Sequence, residues 1–392
     1  MTNAIASAVL NEAGDAKMVE ILGTTEAAFG SQYRYALTTQ GRLYATEALQ
    51  LSKYVGPVPV SLRDYCDRIR RQKINNEPVN QQRIEDSFAD LIVPPRLINE
   101  LGPAINSGRS MLLYGAPGNG KSSLAERMGH AFRNTIFVPH CIEVDGEIIK
   151  VFDPTLHHVL EGAYDDGTAG GRSLQREGFD RRWVPIQRPL VVVGGELTLE
   201  MLDLQYEESS GFYEAPMHIK ALNGIMMIDD FGRQLVPPEQ LLNRWIIPLE
   251  RRIDYLKLHT GKSFEVPFDS LVVFSTNLSP SALMDPAFLR RIPYKVEIPG
   301  PEEVDYRTIF GKVAESAGMK LDKSTVDFVI SYLNRGHVPL AAYHAKFITD
   351  QVVAASKFEG REMVYHEDLV KRALQNLVTT SAEDFPDMQL AS

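Results

Sequence analysis

The pattern of this chain predicts an α/β domain on a parallel sheet, followed by an all-helical unit. Short apolar runs alternate with helical segments between about residues 91 and 298, as strand–helix units around a parallel sheet do. From Pro301 the strand runs stop, and four helical segments remain at about 302–317, 324–335, 339–358 and 366–379. One motif organises the rest. Gly115-Ala116-Pro117-Gly118-Asn119-Gly120-Lys121-Ser122 fits G-x-x-x-x-G-K-[ST]. It lies between the apolar run Ser110-Met111-Leu112-Leu113-Tyr114 and a helical stretch at 123–132, the strand end and helix start that a phosphate-binding loop needs.

The chemistry follows from residue type. Gly115, Gly118 and Gly120 let backbone N–H groups turn inward toward a polyphosphate, and the helix N-terminus adds partial positive charge. Lys121 can reach the β- and γ-phosphates, and the Ser122 hydroxyl can bind Mg²⁺. Gly115, Pro117, Gly118, Asn119, Gly120, Lys121, Ser122 and Ser123 are therefore the candidate nucleotide-binding set, with ATP and Mg²⁺ as the expected ligands.

Taken in order, residues 1–55 read as a small α+β unit. A broken helical stretch spans about 5–22, Tyr33-Arg34-Tyr35-Ala36-Leu37 alternates like a strand, and Thr38 caps a following helix. The unit resembles the back half of a winged helix, which serves DNA reading or protein docking. Its few basic residues leave DNA possible but not favoured. Residues 56–84 are a linker (Gly56-Pro57-Val58-Pro59-Val60) and a helix from Ser61 bearing Arg68, Arg70, Arg71 and Lys73, most simply a solvated face.

Residues 85–300 hold the loop, a second apolar strand (Thr135-Ile136-Phe137-Val138-Pro139) and a hairpin turning at Asp145-Gly146. A glycine-rich surface loop follows at 161–180, then the strand Leu190-Val191-Val192-Val193 and a helix start near Thr198. A helix at 238–252 and a second hairpin around Gly261 come later. His157 and His158 have no spaced third ligand, so they are not read as a metal site. The helical unit fills 301–380, and 381–392 is a tail.

Composition bounds the rest. The chain has 392 residues, 44% hydrophobic and 23% charged, as a globular protein of two or three domains does. Its net charge of -10, from 41 basic and 51 acidic side chains, argues against wholesale wrapping of nucleic acid but not against a local basic patch. Two cysteines are too few for a disulfide framework. No apolar run reaches the roughly 18–20 residues that span a bilayer, and no signal peptide is read. A cytoplasmic protein with no membrane partner is expected.

A second set of residues completes the chemistry. The run Gly224-Ile225-Met226-Met227-Ile228 ends in Asp229-Asp230. Asp229 is placed to hold Mg²⁺, and Asp230 to orient or deprotonate an attacking water. Asn277 ends the apolar run that begins at Leu271, where its amide can position the same water. Arg290 and Arg291 follow Asn277 by 13 and 14 residues, and a guanidinium stabilises charge on a transferred phosphoryl group.

These motifs, in order and spacing over roughly 85–380, resemble the AAA+ ATPases, with hairpin insertions like those of the MoxR-type branch. The resemblance implies that Asn277 is the sensor-1 residue and that Arg290 or Arg291 is an arginine finger toward a neighbouring subunit. It also implies a ring, most simply of six subunits, that hydrolyses ATP to remodel a protein partner the sequence does not name. The alternative is a regulatory or DNA-associated module in which ATP only switches conformation and the N-terminal unit does the binding. A further expectation puts Phe212 and Tyr213 on a loop that grips that partner. Two departures stand out. Asp230 replaces the usual glutamate, one methylene shorter. The region of the sensor-2 arginine reads Gly336-His337-Val338-Pro339-Leu340, with Arg335 and Lys346 the nearest cations and neither assigned its role.

Overall fold

Four apolar runs and one mixed stretch pair into one parallel sheet: β1 (Met111–Tyr114), β2 (Leu190–Val193), β3 (Ile225–Ile228), β4 (Leu271–Thr276) and the mixed β5 (Tyr294–Glu297). Their order across the sheet is β5-β1-β4-β3-β2. The structure is a computed structural model and describes residues 3–27, 30–160, 180–283 and 285–378.

Strand periodicity divides the core in two. Leu112, Met226, Ile228, Val272 and Phe274 pack on one face, and Met111, Leu113, Ile225, Met227, Leu271 and Val273 on the other. The second face is covered by the helices Pro95–Ser107 and Lys121–His130. Gly108 ends the first of these in the left-handed region at φ 59, turning the chain into β1. A third core fills the C-terminal helices Glu303–Ser316, Lys323–Arg335, Tyr343–Glu359 and Glu367–Leu377. The fold is thus an α/β P-loop domain with a helical C-terminal part, as the resemblance implied.

Several local expectations are met. The Thr38 hydroxyl accepts from the Gly41 N–H and caps the helix Thr39–Leu51. Ser61 caps Leu62–Arg71. Cys141–Val144 and Glu147–Lys150 form the expected hairpin, its turn residues Asp145 and Gly146 at φ 53 and 83. Ile253–Lys257 pairs with Ser263–Pro267 around Gly261.

Other readings are corrected. Residues 19–22 are strand rather than helix: after a turn with Lys17 at φ 55, Val19–Ala27 pairs antiparallel with Gly30–Leu37. The strand expected at 135–139 does form, as Ile136–Pro139, but lies outside the parallel sheet, paired antiparallel with Trp183–Ile186. The helix expected near Thr198 is one short turn, Glu200–Leu202. The 238–252 helix breaks at Trp245 into Pro238–Arg244 and Ile246–Arg251. Pro248 has no N–H for the Arg244 carbonyl, and its ring would clash with that group in a continuous helix. The last-but-one helix begins at Tyr343 rather than 339. The expected loop at 161–180 falls, except for Asp180, outside the described residues, as does the tail at 381–392.

A second sheet decorates the first. Val60–Ser61, Cys141–Val144, Glu147–Lys150, Phe212–Glu214 and Gln205–Glu207 are neighbours in that order. The Lys53 N–H donates to the Ser210 carbonyl at 2.8 Å, and Tyr54 meets Phe212 edge-on, so the end of the N-terminal unit is tied to this sheet.

Candidate functional site

The phosphate-binding loop leaves the C-terminal end of β1 and enters the helix Lys121–His130. Gly115, Gly118 and Gly120 sit at φ 142, 77 and 81, conformations that side chains with a Cβ rarely adopt. A Cβ at Gly115 would come within 2.3 Å of the Ile298 carbonyl oxygen, and one at Gly118 within 2.1 Å of the Tyr343 ring. A Cβ at Gly120 would meet nothing within 4 Å, which leaves that part of the loop open as a cradle.

Lys121 is buried, and its ammonium donates to the Gly115 and Ala116 carbonyls, each at 3.0 Å, and to Asn277 Oδ1 at 2.7 Å. Burial lowers its pKa, and the charges of Asp229 and Asp230 act the other way. The Ser122 hydroxyl donates to Asp229 Oδ2 at 2.7 Å. Asn277 Nδ2 donates to Asp230 Oδ1 at 3.1 Å, and the Asp230 N–H to Asp229 Oδ1 at 3.0 Å. Lys121, Ser122, Asp229, Asp230 and Asn277 therefore form one hydrogen-bonded set across the ends of β1, β3 and β4.

Asp230 lies in the left-handed region at φ 48, a strained conformation that aspartate tolerates better than most residues. The surroundings hold it there. Phe231 is fully buried, edge-on to Phe274 at 5.0 Å, and its N–H donates to the Ser275 carbonyl. Burying that ring contributes about 2–3 kcal/mol to anchoring the turn. Gln234 Nε2 donates to the Asp229 carbonyl at 2.9 Å and closes the turn from the other side.

The helical unit reaches this site directly. The Tyr343 N–H donates to the Gly118 carbonyl at 3.0 Å, and the Ala342 N–H to Asn119 Oδ1 at 3.4 Å. Asn119 is itself buried. Sequence reasoning missed Tyr343, Ala342 and Gln234; the only signal near the first two was the sensor-2 region at 336–340, just before them. Lys346 is exposed and lies beyond this contact on the same helix. Pro117 and Ser123 complete the loop and the first helical turn.

Arg290 and Arg291 lie at the other edge of the sheet. They precede β5, whose Tyr294 is opposite Met111, and Ser110 Oγ donates to the Arg291 carbonyl. The length of a four-residue strand, about 13 Å, separates them from the loop. Arg290 is exposed, whereas Arg291 is bonded to Glu250 and stacked near Phe288.

Two further residue sets have structural rather than chemical surroundings. Tyr213 is buried with its hydroxyl bonded to His259, and Phe212 is half-buried against Tyr54, so they are not a free aromatic grip. His157 is buried, with Nδ1 accepting from the Asp153 N–H and Nε2 against the Lys220 carbonyl. No cluster of metal-ligating residues occurs among the described residues, and none of their helices is long and apolar enough to cross a membrane.

Comparison with known proteins adds little beyond the fold. A family described as a domain of unknown function, DUF8689, matches residues 302–376, the helical unit. No curated protein matches the chain. Among solved structures, NtrX from Brucella abortus is similar at 13% identity and a TM-score of 0.46, over 77% of this chain and 59% of that one. This chain thus spans under two thirds of that protein. A variant of RuvB from Thermotoga maritima is similar at 12% identity and a TM-score of 0.39, over 80% and 76%.

Proposed function

We propose that this protein is a Mg²⁺-dependent ATPase whose copies assemble in a ring, most simply of six, and remodel a protein partner. The observation that carries the reading is the hydrogen-bonded set linking Lys121, Asn277 and Asp230 on one side and Ser122 and Asp229 on the other. These groups fit a nucleotide triphosphate: backbone donors and an ammonium at a glycine cradle, then a hydroxyl and a carboxylate in contact. Ser122 and Asp229 are the pair that would hold Mg²⁺, which neutralises charge on the transferred phosphate.

In this reading the attacking water forms a bond to the γ-phosphorus as the bond to the ADP oxygen breaks. Asp230 takes the water's proton, and Asn277 fixes the Asp230 carboxylate while contacting Lys121. Arg290, or Arg291 on leaving Glu250, serves the nucleotide of an adjacent subunit, because both lie at the far end of their own sheet.

The test compares two variants. Asp230→Asn should bind ATP and fail to turn it over, since an amide cannot accept the proton. Lys121→Ala should lose binding itself. Normal hydrolysis by Asp230→Asn, or unchanged affinity of Lys121→Ala in calorimetry, rules the assignment out.

A further inference from the structure

On this acidic chain, one cleft of about 670 Å³ is lined by seven basic side chains and only two carboxylates. It lies where the strands begin, at the edge of the sheet opposite the phosphate-binding loop. Arg70, Lys73, Arg109, Arg251 and Arg290 reach it from four separate stretches of sequence, and all five are exposed. The two carboxylates are already engaged: Asp269 pairs with Arg252 at 3.2 Å, and Glu250 with Arg291. Arg70 has a partner in Asp67 at 3.0 Å. Among the described residues, Lys73, Arg109, Arg251 and Arg290 have no ion-pair partner.

Such crowding costs Coulomb energy that neighbouring carboxylates could remove, and the chain has carboxylates in excess. Burial lowers the Arg252 pKa, its paired Asp269 acts the other way, and the nearby charge of Arg109 adds to the lowering. We propose that the cleft is a second phosphate site that takes a compact polyphosphate. Guanidinium groups from several directions can each grip phosphate oxygens in pairs. Phe268, the one aromatic in the lining, is buried and offers no face for a base to stack on, so a compact anion fits the cleft better than a nucleic-acid strand. One source is the tail of a nucleotide seated in the loop of a second copy, and for that source alone the inference rests on the ATPase reading above. The other source is a free polyphosphate.

Inorganic tripolyphosphate is titrated calorimetrically into the Lys121→Ala chain, whose own loop is disabled. One saturable site is expected, weakening with added salt and at least tenfold when Arg70→Gln, Arg109→Gln and Arg251→Gln are added. Circular dichroism checks folding, and Lys73→Gln with Arg251→Gln is the milder alternative variant. Absence of saturable binding, or equal binding by folded variants, overturns the proposal. Tighter binding of a single-stranded oligonucleotide through the same arginines overturns it in favour of nucleic acid. If wild-type protein assembled on a non-hydrolysable ATP analogue no longer takes tripolyphosphate, the neighbour's nucleotide fills the cleft; if it still does, the source is free anion. Both results support a polyphosphate site. The arginine-finger reading fails separately, as normal turnover by Arg290→Ala with Arg291→Ala, whatever this titration gives.

Discussion

The N–H of Tyr343 is bonded to the carbonyl of Gly118, so the first residue of a C-terminal helix is fastened to the middle of the phosphate-binding loop. The aromatic ring lies where a Cβ on Gly118 would stand. Gly118→Ala therefore meets both a positive φ and the ring, and should destabilise the chain by about 1–3 kcal/mol. Adding Tyr343→Ala should recover part of that loss, since it removes the clash but not the backbone strain. Urea unfolding of the double-mutant cycle checks this; strictly additive losses would contradict the contact.

The arginines before β5 are tested by mixing. Arg290→Ala with Arg291→Ala should keep ATP affinity and lose turnover by roughly 10³-fold. Mixed with Lys121→Ala subunits, the variant should regain part of its activity, because an intact loop can then meet an intact arginine. Mixed assemblies of confirmed mass with no regained turnover would show that the arginines do not act between copies.

Glu77 carries a structural prediction. Nearly buried, it accepts from the N–H groups of Arg133 and Asn134 at 2.7 and 3.0 Å and from Arg188 Nε at 3.1 Å. The stretch after the Leu62–Arg71 helix is thereby bound to the end of the loop helix and the start of β2. Glu77→Ala strands the equally buried Arg188 charge and should cost about 3–5 kcal/mol in chemical denaturation. A loss below about 1 kcal/mol would mean that water or another carboxylate replaces Glu77.

His344, next to Tyr343, gives a pH dependence. Burial pushes its pKa down from 6.5 to about 4, and its Nδ1 accepts from the Ala341 N–H, so the folded state holds a neutral ring. The unfolded chain takes up the proton first, and stability should fall as pH drops from about 6.5 toward 4, by at most about 3 kcal/mol. His344→Gln should flatten this part of the stability profile in urea titrations at stepped pH. Identical slopes for the two proteins would remove His344 as the cause.

What was legible in the sequence was what local chain geometry enforces. The loop needs a strand, three glycines and a helix start in one stretch, and the runs before Asp229 and Asn277 end at the same sheet edge. The Asp145-Gly146 turn is equally local. Tyr343 was not legible, because its contact with Gly118 depends on how a separate helical unit folds back across more than half the chain. The apolar run Ile136–Pro139 has the composition of a parallel strand, and nothing within it reveals that its neighbour is Trp183–Ile186. Pro248 did carry a signal for the broken helix, but the apolar periodicity around it reads through the break.

The two edges of the parallel sheet are chemically unlike: Lys121 and its partners at one, Arg290 and Arg291 at the other. Bringing one copy's Arg290 to another's Lys121 therefore joins two different surfaces. A two-fold dimer, in which each copy offers the same patch to the other, cannot be built from that contact alone. An association through that contact would have a direction, and each added copy would again present one unused face of each kind. Whether such a series closes or continues as a filament is set by the rotation between successive copies.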